Sequence, residues 1–192
     1  MLLLLAACQL GDTGPSEREV CDARKREAVQ AWQDVADYFD RVAAMQEDDV
    51  LAAEMDAEEA TRRREAAVGH RNGWQRKKTT GLVDARTGEE RKDPDAERAA
   101  EAKRQQAAWH VAARTDEEAE ALATAMALRA SHDGLISQRD KAQEVVSALE
   151  TQPLEQAWQT SVAGADELGD TELSAIARVA TDETKDACAG MP

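Results

Sequence analysis

Ser16-Glu17-Arg18-Glu19 opens the stretch that decides the fold, because the residues after it, Ala28, Trp32, Val35, Phe39 and Val42, recur at steps of four, three, four and three. A serine at an N-cap satisfies the backbone N–H three residues on, and a glutamate at that position reaches back to the serine N–H, which is a capping box. The spacing after the cap places the five apolar residues on one face of an α-helix. A face that apolar needs a partner helix to cover it.

Working outward, the stripe blurs at Gln46-Glu47-Asp48-Asp49 and resumes through Val50, Leu51 and Met55, and Gly69 is the expected helix stop. From about 70 to 93 the helical pattern gives way to Asn72-Gly73, Gly81 and Gly88, so a basic loop is expected there. Within it, Thr79–Asp84 followed by Arg86–Glu89 reads as a small hairpin. Asp93-Pro94 restarts the helix, with aspartate as N-cap and proline at the first helical position, where a missing N–H costs nothing. Trp109, Ala112, Leu122, Met126, Ile136, Val145 and Leu149 form a second stripe to about Glu150, with Thr115–Glu118 and Ser131–Gly134 as its expected break points. Pro153 opens a third helix carrying Leu154, Trp158, Val162 and Ala165, which Leu168-Gly169-Asp170 closes. Asp170 or Thr171 caps a fourth, with Leu173, Ile176, Ala177, Ala180 and Ala187 on its buried face.

These elements predict an all-α fold: a long antiparallel helical hairpin, coiled-coil-like, with two shorter C-terminal helices packed at its base. At ~1.5 Å per residue each arm of the hairpin would span about 80 Å. Composition agrees, since 33% of the 192 residues are charged and 3% aromatic, and alanine supplies most of the apolar content. Alanine seams bury little area per residue, so Trp32, Trp109 and Trp158 are read as the large seam fillers. The net charge of −15 excludes nucleic acid as a partner, because phosphate binding rests on Lys and Arg displacing counterions.

Met1-Leu2-Leu3-Leu4-Leu5-Ala6-Ala7-Cys8 resembles a bacterial lipoprotein signal, with Leu5-Ala6-Ala7-Cys8 as the processing motif. The resemblance implies that residues 1–7 are a partial signal, that Cys8 carries a diacylglyceryl group and an N-acyl chain, and that 8–15 form a flexible tether. Residues 16–192 are then a single elongated helical domain. Two or more acyl chains anchor stably at ~0.8 kcal/mol per buried CH₂. Gln9, rather than aspartate, implies the outer membrane. The apolar run is seven residues and no basic segment precedes it, so the natural start is expected upstream. With Cys8 lipidated, Cys21 and Cys188 remain as an even pair in an oxidising compartment and are expected to form a disulfide. That bond requires an even number of helical passes, so it stands or falls with the break at Gly169.

The chemistry search is brief. The chain has no Gly-rich phosphate loop, no Cys-x-x-Cys and no His-Glu-x-x-His. The residues three before His70, His110 and His132 are Ala67, Ala107 and Arg129, which excludes a Glu-x-x-His di-metal pattern. Glu54, Glu58 and Glu59, like Asp116-Glu117-Glu118, read as solvated acidic faces. Ser131-His132-Asp133 cannot form a relay on a helix, because consecutive side chains point about 100° apart. The expectation is no enzyme, no cofactor and no metal.

Charge is distributed unevenly. Residues 62–92 hold ten basic residues against four acidic ones, a local +6 that leaves −21 elsewhere. Trp74 sits among Arg71, Arg76, Lys77 and Lys78, where an aromatic ring surrounded by cations can anchor a partner. The leading expectation is a membrane-tethered adaptor of the cell envelope that uses this basic tip, or its acidic flanks, to bind an envelope protein or an anionic polymer. The alternative is an envelope immunity or inhibitor protein whose acidic body masks a basic toxin or enzyme. A second copy pairing along the apolar seam is a further expected partner.

Overall fold

The computed structural model describes residues 15–76, 82–83, 86, 90–91, 93–168 and 172–189. It is all-α, with helices α1 Glu17–Arg76, α2 Pro94–Thr151, α3 Leu154–Leu168 and α4 Glu172–Ala187. Between α1 and α2 the backbone forms a two-residue ladder, β1 Leu82–Val83 against β2 Glu90–Arg91, antiparallel with Leu82 opposite Arg91 and Val83 opposite Glu90.

Local chemistry sets the helix starts. The Ser16 N–H donates to Glu19 Oε2 at 2.7 Å, and the Glu19 N–H returns to Ser16 Oγ at 3.3 Å, completing the capping box. Asp93 Oδ1 accepts from the N–H groups of Asp95 at 2.9 Å and Ala96 at 3.3 Å, ahead of Pro94 in the first turn.

Three expectations about boundaries are corrected. Helix α1 does not stop at Gly69 but runs on to Arg76, and α2 is broken neither at Thr115–Glu118 nor at Ser131–Gly134. The described returning strand is Glu90–Arg91, and of the expected Arg86–Glu89 segment residues 87–89 lie outside the described residues. A glycine inside a helix costs only about 1 kcal/mol relative to alanine. Contacts across the hairpin and side-chain bonds within the helices outweigh that cost. At Thr115 the hydroxyl donates to the Val111 carbonyl at 2.8 Å, one turn back, and Glu117 is held by both Arg114 and Arg63.

The chain packs as two compact units. The first, residues up to Ala43 and from Gly134 on, joins the start of α1 and the end of α2 to α3 and α4. Its core holds Ala28, Trp32, Val35, Ala36 and Phe39 from α1 with Ala142, Val145, Ala148 and Leu149 from α2, closed by Ala157, Ala165, Leu168 and Ala177. The expected stripe of α1 is therefore buried from Ala28 to Phe39, while Val42 is half-buried. At Gly164 an added Cβ would lie 2.8 Å from Val145 Cγ2, so the missing side chain is what lets α3 approach α2.

Helix α4 corrects its own expectation. Ile176 is 57% exposed, and the buried face runs Ser174, Ala177, Thr181, Thr184 and Cys188 at steps of three and four. Small hydroxyl residues occupy it because each can satisfy itself. Thr181 Oγ1 donates to the Ala177 carbonyl at 2.9 Å and accepts from Trp32 Nε1 at 3.0 Å, with both residues fully buried. The Thr184 hydroxyl lies 2.8 Å from both the Arg24 and the Ala180 carbonyls, so its single proton bridges α4 to α1. Cys21 and Cys188 form the expected disulfide, with Cα atoms 5.0 Å apart. Around the same joint Arg24 pairs with Glu183 at 3.0 Å, and Lys185 Nζ sits 3.4 Å from the centroid of the Trp158 ring.

The second unit, Ala44–Asp133, is an antiparallel pair made from the rest of α1 and α2. Partners run in opposite directions: Gln46 meets Ser131, Glu54 meets Arg129, and Arg63 meets Glu117. Val50, Ala53, Ala57 and Ala60 of α1 and Ala107 and Ala125 of α2 are buried, with Ala121 and Leu128 packed beside them. Several residues expected on the apolar stripes are instead outside. Met55 is 69%, Trp109 66% and Met126 71% exposed, and Leu51, Ala112 and Leu122 are exposed as well. Alanine at steps of four and three makes the shared face here, and a face filled by small side chains leaves the large ones to its flanks.

Candidate interaction site

Arg71 and Trp74 occupy the last turns of α1, not a loop. That is the main correction to the expected site. Arg76 closes the helix, the position of its side chain is outside the described residues, and so are Lys77 and Lys78. Gly69 and Gly73 have open space where a Cβ would stand, so neither is needed for a close approach. The helix persists through them because Trp74 is engaged on both sides. Its Nε1 donates to His70 Nε2 at 3.0 Å, one turn back, and Lys103 Nζ of α2 lies 5.0 Å from its ring centroid. The two aromatic rings meet edge to face at 6.1 Å. For His70 to accept, its Nε2 must carry the lone pair, which fixes the proton on Nδ1.

Trp74 is thus half-buried against α2 while one part of the indole remains at the surface. Arg71 is half-buried too, and its Nε is buried with no hydrogen-bond partner among the described residues. The cation opposite the indole, Lys103, and its acceptor, His70, were missed in the sequence. The four-residue step from His70 to Trp74 was the available signal for the acceptor. Nothing local announces Lys103, which is 29 positions further on.

Part of the positive charge of residues 62–92 is neutralised in place. Arg63 is held by Glu59 and, across the pair, by Glu117, and these hydrogen bonds raise its pKa further above the ordinary guanidinium value. Arg64 Nε lies 2.6 Å from Glu118 Oε2, an ion pair whose geometry falls short of a hydrogen bond. Arg62 reaches Glu58 at 3.9 Å. Glu117 is held below the usual carboxylate range, first by the hydrogen bond from Arg114 and then by that from Arg63. These exposed pairs each contribute little to stability, typically ~0–1 kcal/mol. Their consequence is electrostatic: Arg62, Arg63 and Arg64 are matched by carboxylates, whereas Arg71 forms no ion pair among the described residues.

Among the described residues no group of three or more His, Cys, Asp or Glu side chains is placed to hold a metal ion. Ser131 Oγ turns to Gln46 Oε1 at 3.3 Å, and His132 Nδ1 lies 3.7 Å from the carboxylate of its neighbour Asp133, so the three adjacent residues form no relay. No helix among the described residues is long and apolar enough to cross a membrane. Cys8 lies outside the described residues.

The architecture defines an all-α protein, a helical hairpin with two short helices joined to it by a disulfide. Compared with protein-family models, with curated proteins and with solved structures, the chain matches none.

Proposed function

We propose that this protein is a lipid-anchored helical adaptor of the bacterial cell envelope, in which Cys8 carries the anchor and the surface around Arg71 and Trp74 captures an anionic envelope polymer or an acidic protein face.

 The reading requires export and an oxidising compartment. The observation that carries it is the Cys21–Cys188 bond, since disulfides persist outside the reducing cytosol. It agrees with the lipoprotein-like motif at Leu5-Ala6-Ala7-Cys8. A surface aromatic flanked by Arg71 and Lys103 suits a partner that offers negative charge and a stackable or apolar group.

Metabolic labelling with a palmitate analogue tests the anchor: label on the wild-type chain and none on Cys8→Ser is the expected result. Label on neither removes the anchoring. A crosslinking pull-down from envelopes tests the binding role, with capture expected to fall in Arg71→Ala/Trp74→Ala. A second reading, an immunity or inhibitor protein whose acidic body masks a basic partner, is favoured by the stretch Met45–Ala60, which holds seven acidic residues and no basic one. Capture unchanged by the Arg71 and Trp74 substitutions but lost in high salt selects it.

A further inference from the structure

Trp74 is tied to a side chain that can change its charge. Its indole N–H donates to His70 Nε2 at 3.0 Å, and only a neutral imidazole with its proton on Nδ1 can accept there. A second proton turns Nε2 into a donor, so the bond does not survive it. His70 is exposed, and solvent protons reach the ring directly. Imidazole is also the side chain whose ordinary titration falls between about pH 5 and 8.

The charged groups around His70 are cations. On α1 its neighbour is Arg71, which has no ion-pair partner among the described residues, and on α2 Lys103 Nζ lies 5.0 Å from the Trp74 ring centroid. The contacts Arg63–Glu117 and Trp74–Lys103 set a register that brings residues 107–110 of α2 opposite His70, and of these only His110 titrates, its ring edge to face with Trp109. Glu101, two residues before Lys103, faces Arg104 at 3.5 Å. Glu65 is five residues before His70, about 140° around α1. Among the described residues, therefore, a proton taken up by His70 adds to the local positive charge and closes no ion pair. We propose that His70 makes the Arg71–Trp74 surface respond to pH: neutral, it holds the indole N–H, and protonated, it releases that donor and stands as a third cation beside Arg71 and Lys103, so that an anionic partner is held more tightly as pH falls. The inference rests on the capture reading above and adds its control. Its sign follows from charge, since the bond to Trp74 exists above the imidazole titration and is lost below it, whereas attraction for an anion grows in the same downward direction.

The test titrates the full chain with Cys8→Ser against dextran sulfate, a polyanion whose own charge is constant over the range, at about pH 5.5 and about pH 8. Binding is expected to be roughly fivefold tighter at the lower pH. His70→Gln keeps an acceptor for the indole but takes up no proton, so it should match the parent at the higher pH and lose the tightening at the lower one, while His110→Gln should retain it. Equal tightening in the parent and in His70→Gln overturns the proposal, as does its loss in His110→Gln alone. The indole N–H resonance of Trp74, assigned with Trp74→Phe, gives a readout that needs no ligand. It should shift with the same midpoint as the His70 ring protons and stay fixed in His70→Gln, and a resonance that ignores His70 overturns the switch. A resonance that follows His70 in a chain that binds no dextran sulfate at either pH overturns the capture reading while the His70–Trp74 coupling stands.

Discussion

Replacing Thr181 by valine tests the core of the first unit at one bond. Trp32 and Thr181 are both fully buried, and the indole N–H has Thr181 Oγ1 as its partner at 3.0 Å. Valine keeps the volume and shape of threonine, so the substitution leaves packing in place and orphans the indole donor. A buried donor left without an acceptor costs about 1–3 kcal/mol. The threonine's own bond to the Ala177 carbonyl is lost as well, but that carbonyl retains its helical partner and contributes less. Trp32→Phe should be the larger single loss, because it removes buried volume, yet it leaves Thr181 bonded to Ala177. On that background Thr181→Val should cost little, giving a coupling of about 1–2 kcal/mol in the double-mutant cycle. Urea unfolding followed by circular dichroism at 222 nm measures all four proteins. Additive losses, or a Thr181→Val cost below about 0.5 kcal/mol, would refute the claim that this bond holds α4 to α1.

Other outcomes follow from the same packing. Gly164→Ala places a methyl 2.8 Å from Val145 Cγ2, and overpacking of ~1–3 kcal/mol should exceed the ~1 kcal/mol gained in helix propensity. In a Val145→Ala background the same change should be neutral or stabilising, as urea midpoints would show. Cys21→Ser/Cys188→Ser opens a loop with a sequence separation of 167 and should lower stability by up to about 5 kcal/mol on the loop-entropy account. Hydrogen exchange should locate the loss in α4, and unchanged protection there would count against it. Glu19 is held below its ordinary pKa by the Ser16 N–H and then the Ser16 hydroxyl. Because the folded value is depressed, this contribution is present above the unfolded pKa and lost as pH falls through the folded one. The first turn of α1 should therefore fray in acid, visible as faster amide exchange near Glu19, and Ser16→Ala should weaken that pH dependence.

Much of this architecture was legible in the sequence because its signals are local. The capping box at Ser16, the Asp93-Pro94 start, the stop before Pro153 and the stripe from Ala28 to Phe39 each act within a turn or two of the residues that encode them. The pairing of Cys21 with Cys188 also followed, once α3 and α4 were read as two helices. The candidate site was less legible. Trp74 and Arg71 were found by composition, but their place on α1 depends on contacts with His70 and Lys103 that no local pattern displays.

By itself the sequence determined where α1, α2 and α3 begin, that the described residues form four helices, and which cysteines can meet, since caps, prolines and apolar periodicity act through neighbouring backbone atoms. Tertiary structure decided which faces are buried. In Ala44–Asp133 the partner helix meets alanines and leaves Met55, Trp109 and Met126 outside, and in α4 it buries Thr181 and Thr184 in preference to Ile176. Burial depends on what stands opposite, and a hydroxyl that finds a carbonyl or an indole N–H across a helix interface is satisfied there, whereas hydropathy along the chain counts it as polar.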